Sequence, residues 1–230
     1  MAKIIGILGG MTPESTVTYY QHITRSYQER YGDYGFPEIV IYSVSFQQYE
    51  DWMISGNWDA IAEGLTQAVL SLRNGGADFG VIATNTMHKV FPQIQEASPI
   101  PLLSIIDATA ESIQNQNMKT IGLLGTRFTM KEPFYREGLA KFGIDTLIPN
   151  ENDLKIVDDI IFNELGRGIL RQESRQKYVE IVSRLHDRGA EGIILGCTEI
   201  PLLISERDCS VPLFNTTVLH AEKALEYSLG

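Results

Sequence analysis

The chain has 230 residues, 43% of them hydrophobic, which is enough for a sizeable core in one large domain or two small ones. Its formal net charge is −10 and no block of lysines or arginines stands out, which argues against nucleic acid and anionic membranes as partners. The sequence has no run of roughly 20 apolar residues, so we expect no membrane span. Two cysteines are too few for a disulfide framework. The first three residues lead straight into an apolar segment rather than a signal peptide, so we expect a reducing, cytoplasmic compartment.

Strands and helices alternate in the first half of the chain. The segment 3–8 is typical of a short buried strand, and Gly9-Gly10 followed by Pro13 is typical of a sharp turn into a helix. Apolar residues recur at helical spacing along 59–73, and a glycine pair ends that helix. The patterns predict strands at 3–8, 38–44, 79–83 and 102–106, and helices at 13–30, 59–73, 88–96 and from 106 to 116.

The same alternation continues in the second half. The segment 189–199 is typical of a buried strand that ends at Cys197, and the helix before it ends at Gly189. The patterns predict the remaining strands at 119–125, 145–148 and 211–214, and helices at 131–142, 153–165, 173–188, after Pro201 and at 218–228.

Two segments of the first half recur in the second half at nearly one spacing. Residues 3–9 recur at an offset of 116 (119 − 3), and residues 76–86 recur at an offset of 113 (189 − 76). The second match aligns Cys197 with Thr84. Two matches at nearly the same offset indicate an internal duplication of βα units.

A duplication of βα units predicts an α/β fold with two pseudo-symmetric lobes, each built on a parallel sheet. We expect the first lobe to be 1–103 plus 211–230, and the second to be 104–210. Ligands in such folds bind beyond the carboxyl ends of the strands, and polar residues follow the predicted strands in both halves. We therefore expect the active site in the cleft between the lobes, with the Cys197 thiol on one wall and the Thr84 hydroxyl on the other.

Cys197 stands at a strand end that opens a helix, where backbone N–H groups and the helix dipole lower a thiol pKa. A thiolate at this position is able to act as a nucleophile or as a general base. Nucleophilic hydrolysis needs a nearby histidine, and a lone histidine such as His88 more often has a structural role. The duplication instead favours a nearly mirror-symmetric reaction, in which a proton leaves one face of a carbon and another returns at the opposite face.

Four motifs, in order along the chain, resemble those of the aspartate/glutamate racemase family. They are Gly9–Thr16, Thr84–His88, Leu124–Thr126 and Leu195–Glu199, and the resemblance runs from about Ile4 to His220. It implies a cofactor-independent racemase with two Rossmann-like lobes, no pyridoxal phosphate and pairing into a homodimer. It also implies a small acidic amino acid as substrate.

The chain departs from the family pattern at Thr84, because most members have a cysteine on each wall. In this it is similar to a subgroup that pairs a threonine with one cysteine and acts on aspartate and glutamate. The resemblance implies that Cys197 takes the α-proton of the L-enantiomer. A hydroxyl is a far weaker acid than a thiol, so we expect the L to D direction to be favoured and the reverse direction to be slow.

Further residues at the strand ends are candidates for binding the substrate. The candidates are Met11, Thr12, Asn85, Thr86, Thr126 and Thr198. Asn85, Thr86 and Thr198 are expected to hold the α-carboxylate and the amine. Met11 and Thr12 are expected to line the cleft before a helix N-terminus that favours a carboxylate. The alternative interpretation is that these residues are ordinary caps of strand ends and helices.

The distal carboxylate of the substrate has no evident partner in the sequence. Aspartate racemases of the family place basic residues there, whereas this chain offers the amides of Gln47 and Gln48. Both are candidates for binding this carboxylate, and Gln48 is included among the expected substrate-binding residues. Arg167 is near a second expected position, although a solvated surface is the simpler interpretation of this arginine. A further departure is Asn215, where the family more often has an aspartate.

Two other functions stay open on the sequence. One is a decarboxylase or isomerase of small diacids with the same architecture, because such reactions need a single protonating thiol. The other is a non-catalytic homologue that binds a dicarboxylate and has lost turnover together with the first cysteine. The segment 6–10 lacks the dinucleotide-binding spacing and no His/Cys spacing suits zinc, so we expect no cofactor or metal.

Overall fold

Each half of the chain builds a four-stranded parallel sheet. The computed structural model describes residues 2–230. It divides into two units, of which the second is Ile106–Thr216 and the first comprises the residues before Ile106 together with Thr217–Gly230. The predicted α/β fold class with two parallel sheets is therefore confirmed.

The strands and helices of residues 2–230 follow in chain order. The strands are β1 (Ile5–Gly9), β2 (Ile39–Ser43), β3 (Phe79–Ile82), β4 (Leu102–Leu103), β5 (Thr120–Gly125), β6 (Asp145–Leu147), β7 (Gly192–Gly196) and β8 (Leu213–Asn215). The α-helices are α1 (Pro13–Tyr31), α2 (Phe46–Ser55), α3 (Trp58–Asn74), α4 (Phe91–Ala97), α5 (Ile105–Asn115), α6 (Arg127–Lys131), α7 (Pro133–Ala140), α8 (Glu151–Asn163), α9 (Gln172–Asp187), α10 (Ile200–Leu203) and α11 (Thr216–Leu229). Two short 3-10 helices cover Thr86–Val90 and Leu165–Arg167. Within this described part of the chain, no helix is both long and apolar enough to cross a membrane.

The first sheet has the order β2-β1-β3-β4, and all neighbouring strands are parallel. β1 and β3 are central and buried along their whole length, as expected for a parallel sheet that helices cover. Ile5 and Phe79 of these strands share a core cluster with Tyr19 and Ile23 of α1 and with Leu225 of α11. The C-terminal helix therefore packs on the first sheet.

The second sheet has the order β6-β5-β7-β8, which repeats the order of the first. Its central strand β7 is also fully buried, which fits its run of apolar residues from Ile193 to Leu195. α9 covers this sheet, and a Cβ placed on Gly122 of β5 would lie 3.1 Å from Leu185 of that helix. The small residue at this position lets the helix approach the strand closely.

The boundary between the units differs from the predicted one at its C-terminal end. The sequence assigns 211–230 to the first lobe, but β8 pairs in parallel with β7, with Phe214 opposite Ile194. The second unit therefore extends to Thr216. A strand of three residues carries no sequence signal for the sheet that it joins, and this explains the difference.

Three other elements differ from the prediction. α2 was not predicted, although Tyr49 and Met53, four residues apart, form its buried side. The fourth strand is only two residues long, because α5 begins at Ile105. The helix predicted at 131–142 corresponds to α7, which begins at Pro133 because proline suits the first turn of a helix, and the short α6 before it was not predicted.

Candidate active site

The carboxyl ends of β1 and β3 bring the candidates of the first unit together. The two strands are adjacent and parallel, so the residues that follow them lie at one edge of the sheet. The turn after β1 carries Met11 and Thr12, and the turn after β3 carries Thr84, Asn85 and Thr86. Four of these five residues are buried, and Thr12 is half-buried. The structure thus groups five of the six predicted residues of this unit, and the sixth, Gln48, lies on α2.

The turn after β1 has a conformation that only glycine tolerates. Gly10 has a φ of +93°, in the left-handed region, and a Cβ there would lie 2.3 Å from the Val44 carbonyl oxygen. The Gly10 N–H donates to Thr16 Oγ1 at 2.8 Å. The Ser15 hydroxyl lies 3.1 Å from the Ala83 carbonyl oxygen, and this contact joins the start of α1 to the end of β3.

A buried histidine holds Thr84 at the end of β3. The Ile105 N–H donates to His88 Nε2 at 3.1 Å, so the proton of the neutral ring is on Nδ1. That Nδ1 donates to the Thr84 carbonyl oxygen at 2.8 Å. Burial lowers the pKa of His88 from 6.5 to about 4, although the bond to Thr84 opposes this shift. His88 is therefore a neutral link between Thr84 and the start of α5, in agreement with a structural role.

A second buried histidine lies beside the first. His220 of α11 donates from Nε2 to the Leu103 carbonyl oxygen at 3.0 Å, and its Nδ1 accepts from the Tyr19 hydroxyl at 2.7 Å. The ring centroids of His220 and His88 are 6.0 Å apart. Burial, together with the nearby His88, lowers the pKa of His220 to about 3. The two neutral rings connect α1, α11, β4 and the Thr84 turn.

The second unit places Thr126 and Cys197 at the same edge of its sheet. β5 and β7 are adjacent and parallel, with Gly125 opposite Gly196, and each candidate directly follows one of these glycines. Both side chains are buried. Thr126 caps α6, because its hydroxyl accepts from the Thr129 N–H at 3.4 Å. This hydrogen bond supports the interpretation of Thr126 as a helix cap. Its position at the same sheet edge as Cys197 is also compatible with substrate binding.

A carboxylate contacts the Cys197 thiol. The thiol donates to Glu199 Oε2 at 3.0 Å, and the Thr198 hydroxyl donates to the same oxygen at 2.7 Å. Cys197 is 9% exposed and Glu199 is 6% exposed, so the contact is shielded from solvent. Sequence reasoning missed Glu199 as a functional residue, although it stands two residues after the cysteine in the Cys-Thr-Glu motif.

The pKa of the Cys197 thiol is raised well above its usual value, whereas the sequence predicted a lowered one. Burial is the largest cause, and the charge of Glu199 and the hydrogen bond to it act in the same direction. The backbone N–H groups of Thr198 and Glu199 lower the pKa of the thiol without overcoming these effects. The following helix, α10, is only four residues long, so its dipole offers little compensation.

Comparison with known proteins identifies the family. The family model described as Asp/Glu/Hydantoin racemase matches residues 8–224, which is nearly the whole chain. The chain belongs to this racemase family. The family membership predicted from the four motifs is therefore confirmed, and it places the chain in the isomerase class.

Two solved structures and one sequence relative are similar to this chain along its whole length. A proposed Asp/Glu racemase from Yersinia pestis is 44% identical, with a TM-score of 0.93, over 99% of this chain and 100% of that chain. An aspartate racemase homologue from Pyrococcus horikoshii OT3 is 36% identical, with a TM-score of 0.87, over 99% and 100% of the two chains. The broad specificity amino-acid racemase RacX from Bacillus subtilis (strain 168) is 24% identical over 233 residues, which cover 99% of each chain.

The residues considered for the distal carboxylate lie on α2 and in the second 3-10 helix. Gln47 and Gln48 lie on α2 rather than on a loop, and both are exposed. The Gln47 amide donates to Glu50 and Asp51 at 3.3 Å and 3.0 Å. Gln48 lines a cavity of about 300 Å³ between β2, α2 and α3. Among the described residues, 84–86 do not line this cavity. Gln48, the substrate-binding candidate for the distal carboxylate, therefore stays a prediction.

Arg167 ends the second 3-10 helix and is exposed. This agrees with the interpretation of Arg167 as part of a solvated surface. Asn215 is the last residue of β8 and lies opposite Leu195 of β7, two residues before Cys197. The departure from the family pattern at Asn215 therefore falls on the strand that neighbours the cysteine strand.

Proposed function

We propose that this chain is a cofactor-independent racemase of acidic amino acids that acts on aspartate, glutamate or both. One observation carries the proposal. Thr84 and Cys197 stand at aligned positions, each beyond the carboxyl end of the third strand of a sheet with the same strand order. In a chain of the racemase family, a thiol and a hydroxyl at matching strand ends suit the removal and return of a proton at opposite faces of one carbon.

The proposed reaction has two proton transfers. The Cys197 thiolate takes the α-proton of the L-enantiomer, so that the Cα–H bond breaks, an S–H bond forms and the electron pair passes into the α-carboxylate. The planar intermediate then takes a proton at its opposite face from the Thr84 hydroxyl, which regains a proton from water. Both steps are general acid–base catalysis and need no cofactor.

The Thr84 hydroxyl makes the two directions unequal, because it is a far weaker acid and a poorer base than a thiol. The two enantiomers have equal free energy, so this asymmetry cannot change the final ratio of D to L. We expect it instead in the exchange of the α-hydrogen with solvent, which should be faster from the L-enantiomer than from the D-enantiomer.

The other residues at the strand ends are proposed to bind the substrate. They are Met11, Thr12, Asn85, Thr86, Thr126 and Thr198. Thr12 immediately precedes α1, a helix of 19 residues whose N-terminus favours an anion such as the α-carboxylate. Asn85, Thr86 and Thr198 supply amide and hydroxyl groups for the α-carboxylate and the amine.

The relatives support the substrate class to different degrees. The two similar structures are named for aspartate or for aspartate and glutamate, which favours an acidic amino acid. The relative from Bacillus subtilis is named a broad specificity amino-acid racemase, so the acidic preference has to be measured against other amino acids.

The experiment that tests the proposal is α-hydrogen exchange in deuterated water. Each enantiomer of aspartate and glutamate is incubated with the purified protein, beside a panel of neutral and basic amino acids, without added cofactor. We expect exchange and racemisation of the acidic substrates, with faster exchange from the L-enantiomers. Cys197→Ser should lower the exchange rate by roughly 10²- to 10⁴-fold, because it removes the general base.

The matched control is Cys209→Ser, since Cys209 is the second cysteine and is only half-buried. This variant should exchange like the wild type. Exchange at equal rates from D and L would contradict the asymmetric mechanism. Absence of exchange from every amino acid would contradict the racemase, and release of carbon dioxide from malonates would favour the decarboxylase instead.

A further inference from the structure

The Cys197 side chain is a protonated thiol, which cannot take the α-proton of a substrate. Its hydrogen points at Glu199 Oε2, 3.0 Å from the sulfur, and the Thr198 hydroxyl donates to the same oxygen at 2.7 Å. The charge of the Glu199 carboxylate is one of the causes that raise the pKa of the thiol. The resting state is therefore a protonated thiol beside a carboxylate anion, whereas the proposed reaction needs a thiolate.

The thiol has a proton acceptor within reach. Glu199 is 6% exposed, so its carboxylate is removed from bulk water and depends on its hydrogen bonds. Hydrogen bonds from the backbone N–H groups of Thr198 and Glu199 lower the pKa of the thiol, so these groups stabilise a thiolate once it forms. Moving the hydrogen from sulfur to Oε2 thus replaces a buried carboxylate anion by a thiolate that is bound by two N–H groups.

We propose that the Glu199 carboxylate accepts the Cys197 proton and thereby generates the thiolate that takes the substrate's α-proton. This inference rests on the proposed function. The S–H bond breaks, an O–H bond forms at Oε2, and the electron pair stays on sulfur. After a turnover from L to D, both Cys197 and Glu199 carry a proton, and Glu199 releases its proton to water, which balances the proton that Thr84 takes from water. In the opposite direction Glu199 first takes a proton from water, the thiol gives its proton to the planar intermediate, and the proton on Glu199 then returns to sulfur. Glu199 acts through Cys197, so it is a positioning residue that also stores a proton.

The duplication supports a specific role for Glu199. The aligned position in the first unit is Thr86 (199 − 113 = 86), which has no carboxylate. The carboxylate is therefore not required by the strand-end fold that the two units share. It occurs at the strand end with the thiol, where a proton acceptor has a use.

The test compares Glu199→Gln with the parent protein, both in a Cys209→Ser background so that only Cys197 reacts with iodoacetamide. The first measurement is the rate of alkylation against pH, which reports the thiolate and needs no turnover. A thiol that shares one proton with a carboxylate titrates in two coupled steps. In the parent we expect a plateau of slow alkylation at low pH before the main step. In Glu199→Gln we expect a single step. Its midpoint should lie at lower pH than the main step of the parent, because the charge that repels the thiolate is gone.

The second measurement is α-hydrogen exchange from L-aspartate and L-glutamate. Glu199→Gln should exchange roughly 10²-fold more slowly or worse, because the proton acceptor is lost although the thiolate has become easier to form. Glu199→Asp keeps a carboxylate and should recover part of the rate together with the low-pH plateau. A Glu206→Gln control makes the same carboxylate-to-amide change at an exposed residue of the second unit and should behave like the parent.

The two measurements separate the possible failures. The proposal is wrong if α-hydrogen exchange by Glu199→Gln is as fast as by the parent or faster. It is also wrong if alkylation of the parent shows a single step with pH, because Glu199 then only shifts the pKa of the thiol. If Glu199→Gln does not fold, the comparison of the parent with Glu199→Asp decides by the same criteria. A parent protein with the low-pH plateau but no exchange from any amino acid would contradict the proposed function while supporting the proton transfer.

Discussion

The two matching strand ends differ in their capacity to change protonation. After β7, the Cys197 thiol donates to a carboxylate 3.0 Å away, so two titratable groups share one contact. After β3, Thr84 is bound through its carbonyl oxygen by His88, whose pKa is lowered to about 4. One end is therefore an acid/base pair, and the other is a turn that neutral groups hold in place near neutral pH.

The difference comes from residues at aligned positions. Glu199 aligns with Thr86, and His88 aligns with Pro201 (201 − 113 = 88). The carboxylate beside Cys197 is therefore missing from the first strand end, and the histidine beside Thr84 is missing from the second. The strand order and the parallel register are the same in both units. The same strand order is therefore compatible with different residues, and different protonation, at the two strand ends.

The largest expected effect is the loss of stability of the first strand end in acid. His88 and His220 are neutral in the folded protein, with pKa values lowered to about 4 and about 3, but they become charged in the unfolded chain below about pH 6.5. The unfolded chain then binds more protons, so stability is fully present above pH 6.5 and decreases as the pH falls towards 4. Between pH 7.5 and pH 5 we expect a loss of about 2 kcal/mol for each histidine.

Urea unfolding at the two pH values measures this loss through tryptophan fluorescence. Trp52 and Trp58 lie on α2 and α3, so the signal reports the first unit. His88→Gln should remove about half of this pH dependence. A free energy of unfolding that is equal at pH 7.5 and pH 5 would show that the two rings are not neutral in the folded state.

The second prediction makes the two strand ends more alike. Thr84→Cys places a thiol at the first end, and a thiol is a better acid and base than a hydroxyl. We expect α-hydrogen exchange from the D-enantiomer to rise by roughly tenfold, towards the rate from the L-enantiomer. The rise should stay incomplete, because residue 86 is a threonine and supplies no carboxylate to the new thiol.

Thr84→Ser is the matched control, since serine and cysteine both lack the threonine methyl group and differ only in oxygen and sulfur. This variant should exchange the D-enantiomer no faster than the wild type. If Thr84→Ser and Thr84→Cys have the same rate, the group at residue 84 does not transfer the proton, and the contrast between the two strand ends has no catalytic meaning.

The duplicated pattern predicted the positions of these residues but not their environment. The offset between the halves aligned Thr84 with Cys197, and this alignment depends only on buried strands that are strongly patterned in the sequence. The predicted direction of the Cys197 pKa shift was wrong, because the shift depends on burial and on where the Glu199 carboxylate lies in three dimensions. A helix dipole was expected to lower it, but α10 is too short to do so.

The missed elements have similar physical causes. α2 was overlooked because only Tyr49 and Met53 are buried on it, and two residues four apart give a weak periodic signal. β8 was assigned to the wrong sheet, because strand pairing is a contact between distant segments that a three-residue strand does not specify. The neutral state of His88 was also not predictable, since its two partners, Thr84 and Ile105, meet only in the folded protein.

The smallest expected effect isolates one hydrogen bond that supports the first strand end. Tyr19→Phe removes the hydroxyl that donates to His220 Nδ1 at 2.7 Å and leaves the ring in the core. The free energy of unfolding should fall by about 1–2 kcal/mol, because a buried ring nitrogen loses its donor. The same tryptophan signal in urea measures this change.

Tyr20→Phe provides the control on the adjacent residue of α1, because Tyr20 is 48% exposed. It removes the same atom at the surface and should change the free energy of unfolding by less than about 0.5 kcal/mol. At pH 5 the pH-dependent part of the loss should be smaller in Tyr19→Phe than in the wild type, since a ring without its donor resists protonation less. An unchanged pH dependence would show that His220 stays neutral through burial alone, and that the tyrosine does not contribute to the fixed protonation of this end.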